Sequence, residues 1–361
     1  MRIATFAAPL SRDGPGLLLR DIRKGDDPQI AATLGVLVET APDVVVLTDV
    51  DWDLEAAALT ALRAALAGTG LDLPHQFTAE PNAGMPSRLD LDGNGRLGEP
   101  RDAQGYGRFT GDGGLAILSR YPVCAVQDLS PILWRDMPGA TLPVGPDGGA
   151  FPSEDAVAVQ RLSSTAHWIV TLATPGGPLD LMVWSATPPV FDGPEDRNGL
   201  RARDEARLWT LVMDGRVGRL GPDFVIAGNA NLDPVDGEGD SGFMAGFLAD
   251  PRIIDPKPQS EGARAAADPD HRGDPAEDTA DWDGPGNLRV SYVLPSATLS
   301  VAGAGVFWPA PGTPGAALLG EDGLAAGPHR LVWLDIAVEE EAERVIGICP
   351  GEIRQEPVEF R

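Results

Sequence analysis

The sequence predicts an α/β sandwich of mixed β-sheets, in one domain over residues 1–361. Three features predict it. Strand and helix patterns alternate at the start, strand pairs joined by a hairpin signal follow, and several short runs are continuously apolar, as in strands buried on both faces.

Arg2–Phe6 (RIATF) reads as the opening strand. Over residues 28–40, Ile30, Leu34, Leu37 and Val38 fall on one helical face, and Pro42-Asp43 ends the helix. Val44–Leu47 (VVVL) is a buried strand, and residues 53–67 are rich in helix formers. Residues 74–112 form a long loop with Gly and Asp but little periodicity. Gly114–Ser119 is a strand closed by Arg120-Tyr121-Pro122. His167–Ala173 and Leu179–Ser185 flank Thr174-Pro175-Gly176-Gly177-Pro178, a hairpin signal. Residues 201–213 form a helix with Leu208, Leu211 and Val212 as its apolar stripe. Phe224–Gly228 is a buried strand, residues 255–286 an Asp- and Pro-rich loop, and Leu288–Leu294 and Leu331–Ile336 late strands. The C-terminal stretch of about 25 residues, with Glu339–Glu341, is expected to be an edge strand or a solvated tail.

Composition narrows the function. Apolar residues make up 43% and charged residues 23%, which fits a globular chain. With 54 acids against 28 bases the net charge is −26. Such a surface repels phosphate backbones, so bulk nucleic-acid binding is excluded as a first reading. Cys124 and Cys349 make one bridge at most and no zinc spacing. No apolar run is long enough to span a membrane. The N-terminus reads as a strand, not a secretory segment, so the cytoplasm is the expected compartment.

Polar residues stand at or beside the strand patterns: Asp49, Ser185, Asn229, Asn231, Ser291 and His329. Ligands bind at strand ends in α/β sheets. Taken singly, each also reads as a strand cap or turn residue.

Segments along nearly the whole chain resemble the endonuclease/exonuclease/phosphatase superfamily, the metal-dependent phosphohydrolases related to exonuclease III and DNase I. They are MRIATF at 1–6, VVVLTDVDWD at 44–53, DLDGNGRLGEPRDAQGYGRF at 90–109 and GGLAILSRYPV at 113–123. TPPVFDGPEDRNG at 187–199, FVIAGNANLDPVDGEG at 224–239, LRVSYVLPS at 288–296 and HRLVWLDI at 329–336 complete the set. The resemblance implies a DNase I-like four-layer sandwich, two mixed sheets face to face with helices outside. It implies phosphoester hydrolysis with a divalent cation, Mg²⁺ or Mn²⁺, an Asp that activates water, and His and Asn side chains on the phosphate.

Against that pattern the chain departs where the chemistry lies. Where the family has Asn after the first strand, this chain has Ala7; where it has His before the TPP segment, Ser185. Asn229 stands for the Asp of G-D-x-N, with Asn231 kept, and Ser291 stands for the Asp of R-V-D-Y-V. Of S-D-H, Gly327-Pro328-His329 keeps only the His. Asp49 can serve as a metal ligand. Asn229 cannot accept a proton from water, and Ser185 carries no imidazole charge. If each loss cost ~10²-fold, a few would erase the rate advantage. The flanking text is intact, so the fold reads as retained for another purpose. The expectation is a catalytically impaired member, a pseudoenzyme, that binds a partner protein or a phosphate-containing ligand in the old cleft. The alternatives are an active phosphohydrolase with ligands rewired to Asp49, Asp51, Asp233 or Asp236, and a structural component of a larger assembly.

Three secondary features complete the reading. Asp90, Asp92 and Asn94 have the D-x-D-x-N-G spacing of a Ca²⁺ loop, but the twelfth position is Arg101, so a structural Ca²⁺ site competes with a plain Asx-turn loop. The seven acids of Asp268–Asp283 read as a solvated loop. His75 and His167 lack partner motifs and are expected to be structural.

Overall fold

The computed structural model describes residues 1–337, Cys349, residues 353–358 and Phe360. In chain order the strand β1 (Arg2–Leu10) is followed by helices α1 (Leu17–Lys24) and α2 (Pro28–Thr40), strand β2 (Val44–Val50) and helix α3 (Ala57–Gly68). Strands β3 (His75–Phe77), β4 (Gly114–Ser119) and β5 (Val123–Asp128) precede helix α4 (Glu154–Val159). The hairpin β6 (His167–Thr174) and β7 (Gly177–Ser185) leads to helix α5 (Arg197–Met213) and strand β8 (Phe224–Asn229). Helices α6 (Ser241–Leu248) and α7 (Glu261–Ala265) come before strands β9 (Ser291–Pro295), β10 (Val301–Val306), β11 (Val332–Ile336) and β12 (Arg354–Gln355).

These strands make two six-stranded sheets, ordered β10-β11-β1-β2-β4-β3 and β12-β5-β6-β7-β8-β9. Both are mixed: β1–β2 and β7–β8 are parallel, while β2–β4 and β8–β9 are antiparallel. One core joins Ile3, Leu47 and Leu118 of the first sheet to Trp168, Leu181 and Val225 of the second. Leu18, Leu37, Leu59 and Leu62 bring α1, α2 and α3 into that core. Because side chains alternate along a strand, Ile169, Met182 and Ile226 point the other way and pack on Leu208, Trp209 and Leu211 of α5. Two sheets with helices outside give the four-layer sandwich.

Several elements differ from the sequence reading. The opening strand runs on to Leu10. Helix α1 and strands β3, β5 and β10 lie where no element was expected. Strand β3 is only three residues long, and β10 (VAGAGV) carries almost no side-chain pattern. On α2 the buried set is Ile30, Thr33, Val36, Leu37 and Thr40, whereas Val38 is 37% exposed. The helix turns two threonines inward, and Thr40 Oγ1 donates to the Val36 carbonyl at 2.8 Å. Apolar periodicity alone therefore misphased it. The last sheet strand of this group starts at Ser291, not Leu288, so Ser291 opens β9.

The acidic stretch Asp268–Asp283 is not simply solvated. Glu277 pairs with Arg289 at 2.9 Å, Asp281 with the buried Arg330 at 3.0 Å, and Asp278 is only 8% exposed. In the C-terminal stretch, β12 adds a parallel edge strand to β5, and Cys124 is disulfide-bonded to Cys349. Glu339–Glu341 lies outside the described residues. Among the described residues no helix is long and apolar enough to cross a membrane.

Candidate functional site

The pairing register brings the singled-out positions together. Ser185 pairs with Asn229 across β7–β8, and Asn229 with Ser291 across β8–β9, so the three stand in one row. Ala7 pairs with Thr48 where β1 meets β2, one residue before Asp49. A cavity of about 760 Å³ opens between these strand ends, lined by Ala7, Asp49, Ser185, Asn229, Asn231 and His329. Ser291 is in register with Asn229 but 1% exposed, and it is not a lining residue.

Asp49 is aimed by a bulge. The β2–β4 register shifts between Thr48 and Val50, and Asp49 adopts φ 62°, a left-handed conformation that few non-glycine residues take. Gly113 lies against it: a Cβ there would come within 3.0 Å of Asp49 Oδ1. Among the described residues nothing donates to the Asp49 carboxylate. Burial pushes its pKa up to about 7, with repulsion from Asp112 and Asp51 adding to the shift.

On β8, Gly228 is required by the neighbouring strand, because a Cβ would fall 2.0 Å from the Trp184 carbonyl oxygen. Asn229 Oδ1 accepts from the Asn231 amide at 3.1 Å, and Asn231 Nδ2 donates to the Ala186 carbonyl at 2.7 Å. Asn231 holds φ 52°, which asparagine tolerates better than most residues.

His329 is held in place by residues of Asp268–Asp283, a segment whose composition reads as solvated. Thr279, fully buried, accepts from the Val290 and Ser291 amides at 2.9 and 3.0 Å, and its carbonyl accepts from the Arg330 amide at 2.8 Å. This staples the residues after His329 to the start of β9. The imidazole meets Trp282 edge-on at 5.0 Å between centroids. Burial, with Arg330 alongside, pushes its pKa down to about 4, so it is neutral at pH 7. His329 Nδ1 and Ser291 Oγ are both buried without a hydrogen-bond partner.

Four other acids near the cleft are hydrogen-bonded within the protein. Asp51 accepts from the Arg12 and Gly113 amides at 3.0 and 3.3 Å, and burial raises its pKa to about 6. Against its burial, Asp112 is held below the usual carboxylate range by Arg108 at 2.9 Å and Ser11 at 2.5 Å. Asp233 accepts from the amides of Val235, Asp236 and Arg289 at 2.7–2.8 Å. Asp236 accepts from the Arg272 and Gly273 amides.

Sequence reasoning missed the support beneath the cleft. On α5, Arg201 is 4% exposed and donates to the carbonyls of Leu162, Gln104, Arg161 and Ser163. Glu205, fully buried, accepts from Ser164 N, Ser164 Oγ and Thr187 N at 2.6–2.8 Å, and burial raises its pKa to about 7. Both Ser164 and Thr187 line the cavity. The signal was present: Arg201, Glu205, Leu208 and Val212 have helical same-face spacing, so two charges share the apolar stripe. His167 is fully buried between Ser163 Oγ at 2.7 Å and the Glu205 carbonyl at 3.1 Å.

In the loop before β4, carboxylate oxygens of Asp90, Asp92 and Asp102 lie within 4.8 Å of one another. Asn94 turns its Nδ2 to Asp92 and Glu99 at 3.0 and 2.7 Å, and its Oδ1 accepts from the Arg96 amide at 2.8 Å. Among the described residues this is the sole place where three His, Cys, Asp or Glu side chains converge so closely. They do not converge so around Asp49.

Comparison with solved structures agrees with the architecture. An endonuclease/exonuclease/phosphatase from Beutenbergia cavernae is 18% identical, with a TM-score of 0.52 over 94% of this chain and 71% of that one. A D. rerio TDP2 humanized by 14 mutations is 11% identical, with a TM-score of 0.51 over 93% of this chain and 98% of that one. An endonuclease/exonuclease/phosphatase family protein from Leptotrichia buccalis is 11% identical, with a TM-score of 0.50 over 93% of this chain and 99% of that one. At such identities the likeness speaks for the fold alone. No curated protein sequence matches the chain. The sequence profile of the Endonuclease/Exonuclease/phosphatase family matches residues 21–313, most of the length, and with that match the chain belongs to this family.

Proposed function

We propose that this chain is a non-hydrolytic member of the family, acting by binding a ligand in the cleft between the sheet ends. The observation that carries this reading is the pair of orphaned atoms, His329 Nδ1 and Ser291 Oγ. An imidazole that works on a reacting group is held in its tautomer and orientation by a partner on its other nitrogen. Here the residue that would supply the carboxylate is Ser291, and its hydroxyl reaches no partner.

The family is typically divalent-metal dependent. A hard cation such as Mg²⁺ takes one or two carboxylates with substrate phosphate and water. Asp49 offers one free carboxylate, but Asp51, Asp233 and Asp236 are already bound by amide donors. Ala7 and Ser185 add neither a carboxylate nor an imidazole beside it. On this reading the residues do not make up a built catalytic metal site, since three of the four rewired candidates, Asp51, Asp233 and Asp236, are already held by protein donors and only Asp49 stays free.

Two further readings accompany this one. The loop at Asp90, Asp92 and Asp102 is read as a structural Ca²⁺ site. The cytoplasmic placement expected from the sequence stands against the Cys124–Cys349 bond, since cytosolic thiols are kept reduced.

Turnover tests the main reading. Purified chain should show no metal-dependent hydrolysis of phosphomonoesters or phosphodiesters with Mg²⁺ or Mn²⁺. Asn229→Asp alone should change nothing, because groups that act as a unit are non-additive. Hydrolysis should appear only with Ala7→Asn, Ser185→His, Asn229→Asp and Ser291→Asp together. Turnover of ~1 s⁻¹ by the unmodified chain, abolished by Asp49→Ala, would overturn the proposal.

A further inference from the structure

We infer that Glu205 is a proton-operated latch on the wall of the cleft: ionised, it pins Thr187, and protonated, it releases residues 187–189 so that the cleft widens on that side. The latch acts whatever the cleft binds. Its geometry is a carboxylate clamped between two wall segments. Glu205 is fully buried on α5. Its Oε1 accepts from Ser164 N at 2.6 Å and from Ser164 Oγ at 2.8 Å, and its Oε2 accepts from Thr187 N at 2.8 Å. Ser164, ahead of β6, and Thr187, after β7, both line the cavity.

The two sides are held unequally. On the Ser164 side the Ser163 carbonyl accepts from Asn82 Nδ2 at 2.7 Å and from Arg201 at 3.1 Å, and the Thr165 carbonyl from the Asn82 amide at 2.7 Å. On the other side Ala186 is fixed to Asn229 and Asn231, and the Val190 carbonyl accepts from Asn198 at 2.6 Å. Between them Pro188 and Pro189 carry no N–H, so the Thr187 amide is the one backbone donor of residues 187–189, and Glu205 takes it. A carboxylate oxygen accepts two hydrogen bonds, and Oε1 is filled by Ser164. A proton therefore goes to Oε2. It turns the acceptor of the Thr187 amide into a hydroxyl, a weaker acceptor that must itself find a partner.

The surroundings set where this happens. Arg201, one turn away, is the cation that bears on Glu205, and among the described residues no salt bridge joins them. Its guanidinium is spent on backbone carbonyls, while Asp204 is turned to Trp134 and Thr141, and Arg161 to Asn82. His167 of β6 sets Nε2 on the Glu205 carbonyl, and burial pushes its pKa down to about 3, so it stays neutral. Residues 163–166 and 186–191 bring no titratable side chain. Burial pushes the Glu205 pKa up to about 7, against the pull of Arg201 and the Ser164 and Thr187 donors, and this puts the release near neutrality. Across the cavity Asp49 titrates in the same range, so the two must be told apart.

Amide exchange of the full chain, followed by NMR and corrected for the intrinsic pH dependence of exchange, tests this. Between pH 8 and pH 5 the protection of the Thr187 amide should fall about tenfold, as for loss of a hydrogen bond to a charged group. The Ala186 amide, which donates to the Asn229 carbonyl at 2.9 Å, should keep its protection. The Glu205 carboxyl carbon should titrate with the midpoint of the Thr187 step. Glu205→Gln holds the side chain neutral, so Thr187 should be weakly protected at both pH values, with no step between them. Constant protection of Thr187 in the unmodified chain overturns the latch and leaves Glu205 a structural residue. A step that persists in Glu205→Gln belongs to Asp49 or another group and also overturns it. Should that variant fail to fold, the unmodified chain still decides, because a Thr187 midpoint that differs from that of the Glu205 carboxyl overturns the latch. The non-hydrolytic reading falls only on the separate turnover assay.

Discussion

Asp49 illustrates how one residue carries a cost the fold has not removed. Its carboxylate is aimed by a strand bulge into a cleft, accepts no hydrogen bond, and is crowded by Asp51 and Asp112. With a folded-state pKa of about 7, above the usual value of 3.8, the native state holds a proton that the unfolded chain releases. Stability therefore falls as pH rises through the window between these values and stays reduced above it. Asp49→Asn keeps the shape and removes the charge. It should stabilise the protein by about 1–3 kcal/mol at pH 8, with the gain fading toward pH 4. Urea unfolding at both pH values measures this, and an equal gain at both would show that the charge is not the cause. A group that costs stability at a cleft is consistent with a residue kept for function rather than for folding.

At the scale of elements, the loop ahead of β4 shows the difference between spacing and geometry. The D-x-D-x-N-G text is legible, but Asp102, which lies beyond the motif, supplies the third converging carboxylate. The Asp90 oxygens also accept from the Gly93 and Gly95 amides at 2.6 and 2.7 Å, an Asx-turn arrangement that needs no cation. Binding of Ca²⁺ to the folded state would stabilise it by mass action. Millimolar calcium should raise the thermal midpoint of the unmodified chain and not of Asp102→Asn. An absent shift, or an equal shift in both, would leave only the turn. Helix α5 makes the same point. Its apolar stripe was read correctly, whereas Glu205, which holds the Ser164 and Thr187 amides at the cavity wall, was hidden because a charged residue is read as solvent-facing.

At the scale of the whole molecule, a covalent link ties the C-terminal stretch to the second sheet. The bond between Cys124 and Cys349 closes 225 residues, yet the strand it delivers, β12, is two residues long. The Glu356 amide donates to Val126 O at 2.9 Å, and Phe360 bridges Val217. So short a strand has few contacts and opens at little cost unless it is tethered. Reduction, or Cys349→Ser, should speed hydrogen exchange at Glu356 while β7 and β8 keep their protection. Unchanged exchange at Glu356 would mean that the strand pairing holds without the bond. The same molecule carries a net charge of −26, so its cleft acids act within a negative field that draws cations from a distance.

The sequence by itself determined the class of fold and the family. Those follow from short-range pattern: continuous apolar runs such as Val44–Leu47 and Phe224–Gly228, and motif text whose turns depend on neighbouring residues. It also located Asp49, Ser185 and Asn229, which sit at fixed offsets from such runs, whereas Ser291 read as mid-strand and only the structure puts it at the start of β9. Only the tertiary structure decided which of these side chains are free. Asp51, Asp233 and Asp236 looked as available as Asp49, but their amide partners come from loops up to 62 residues away. Likewise Thr279 and Trp282, in a stretch whose composition reads as solvent, are what place His329, because burial and hydrogen bonding are settled by contacts between residues distant in the chain.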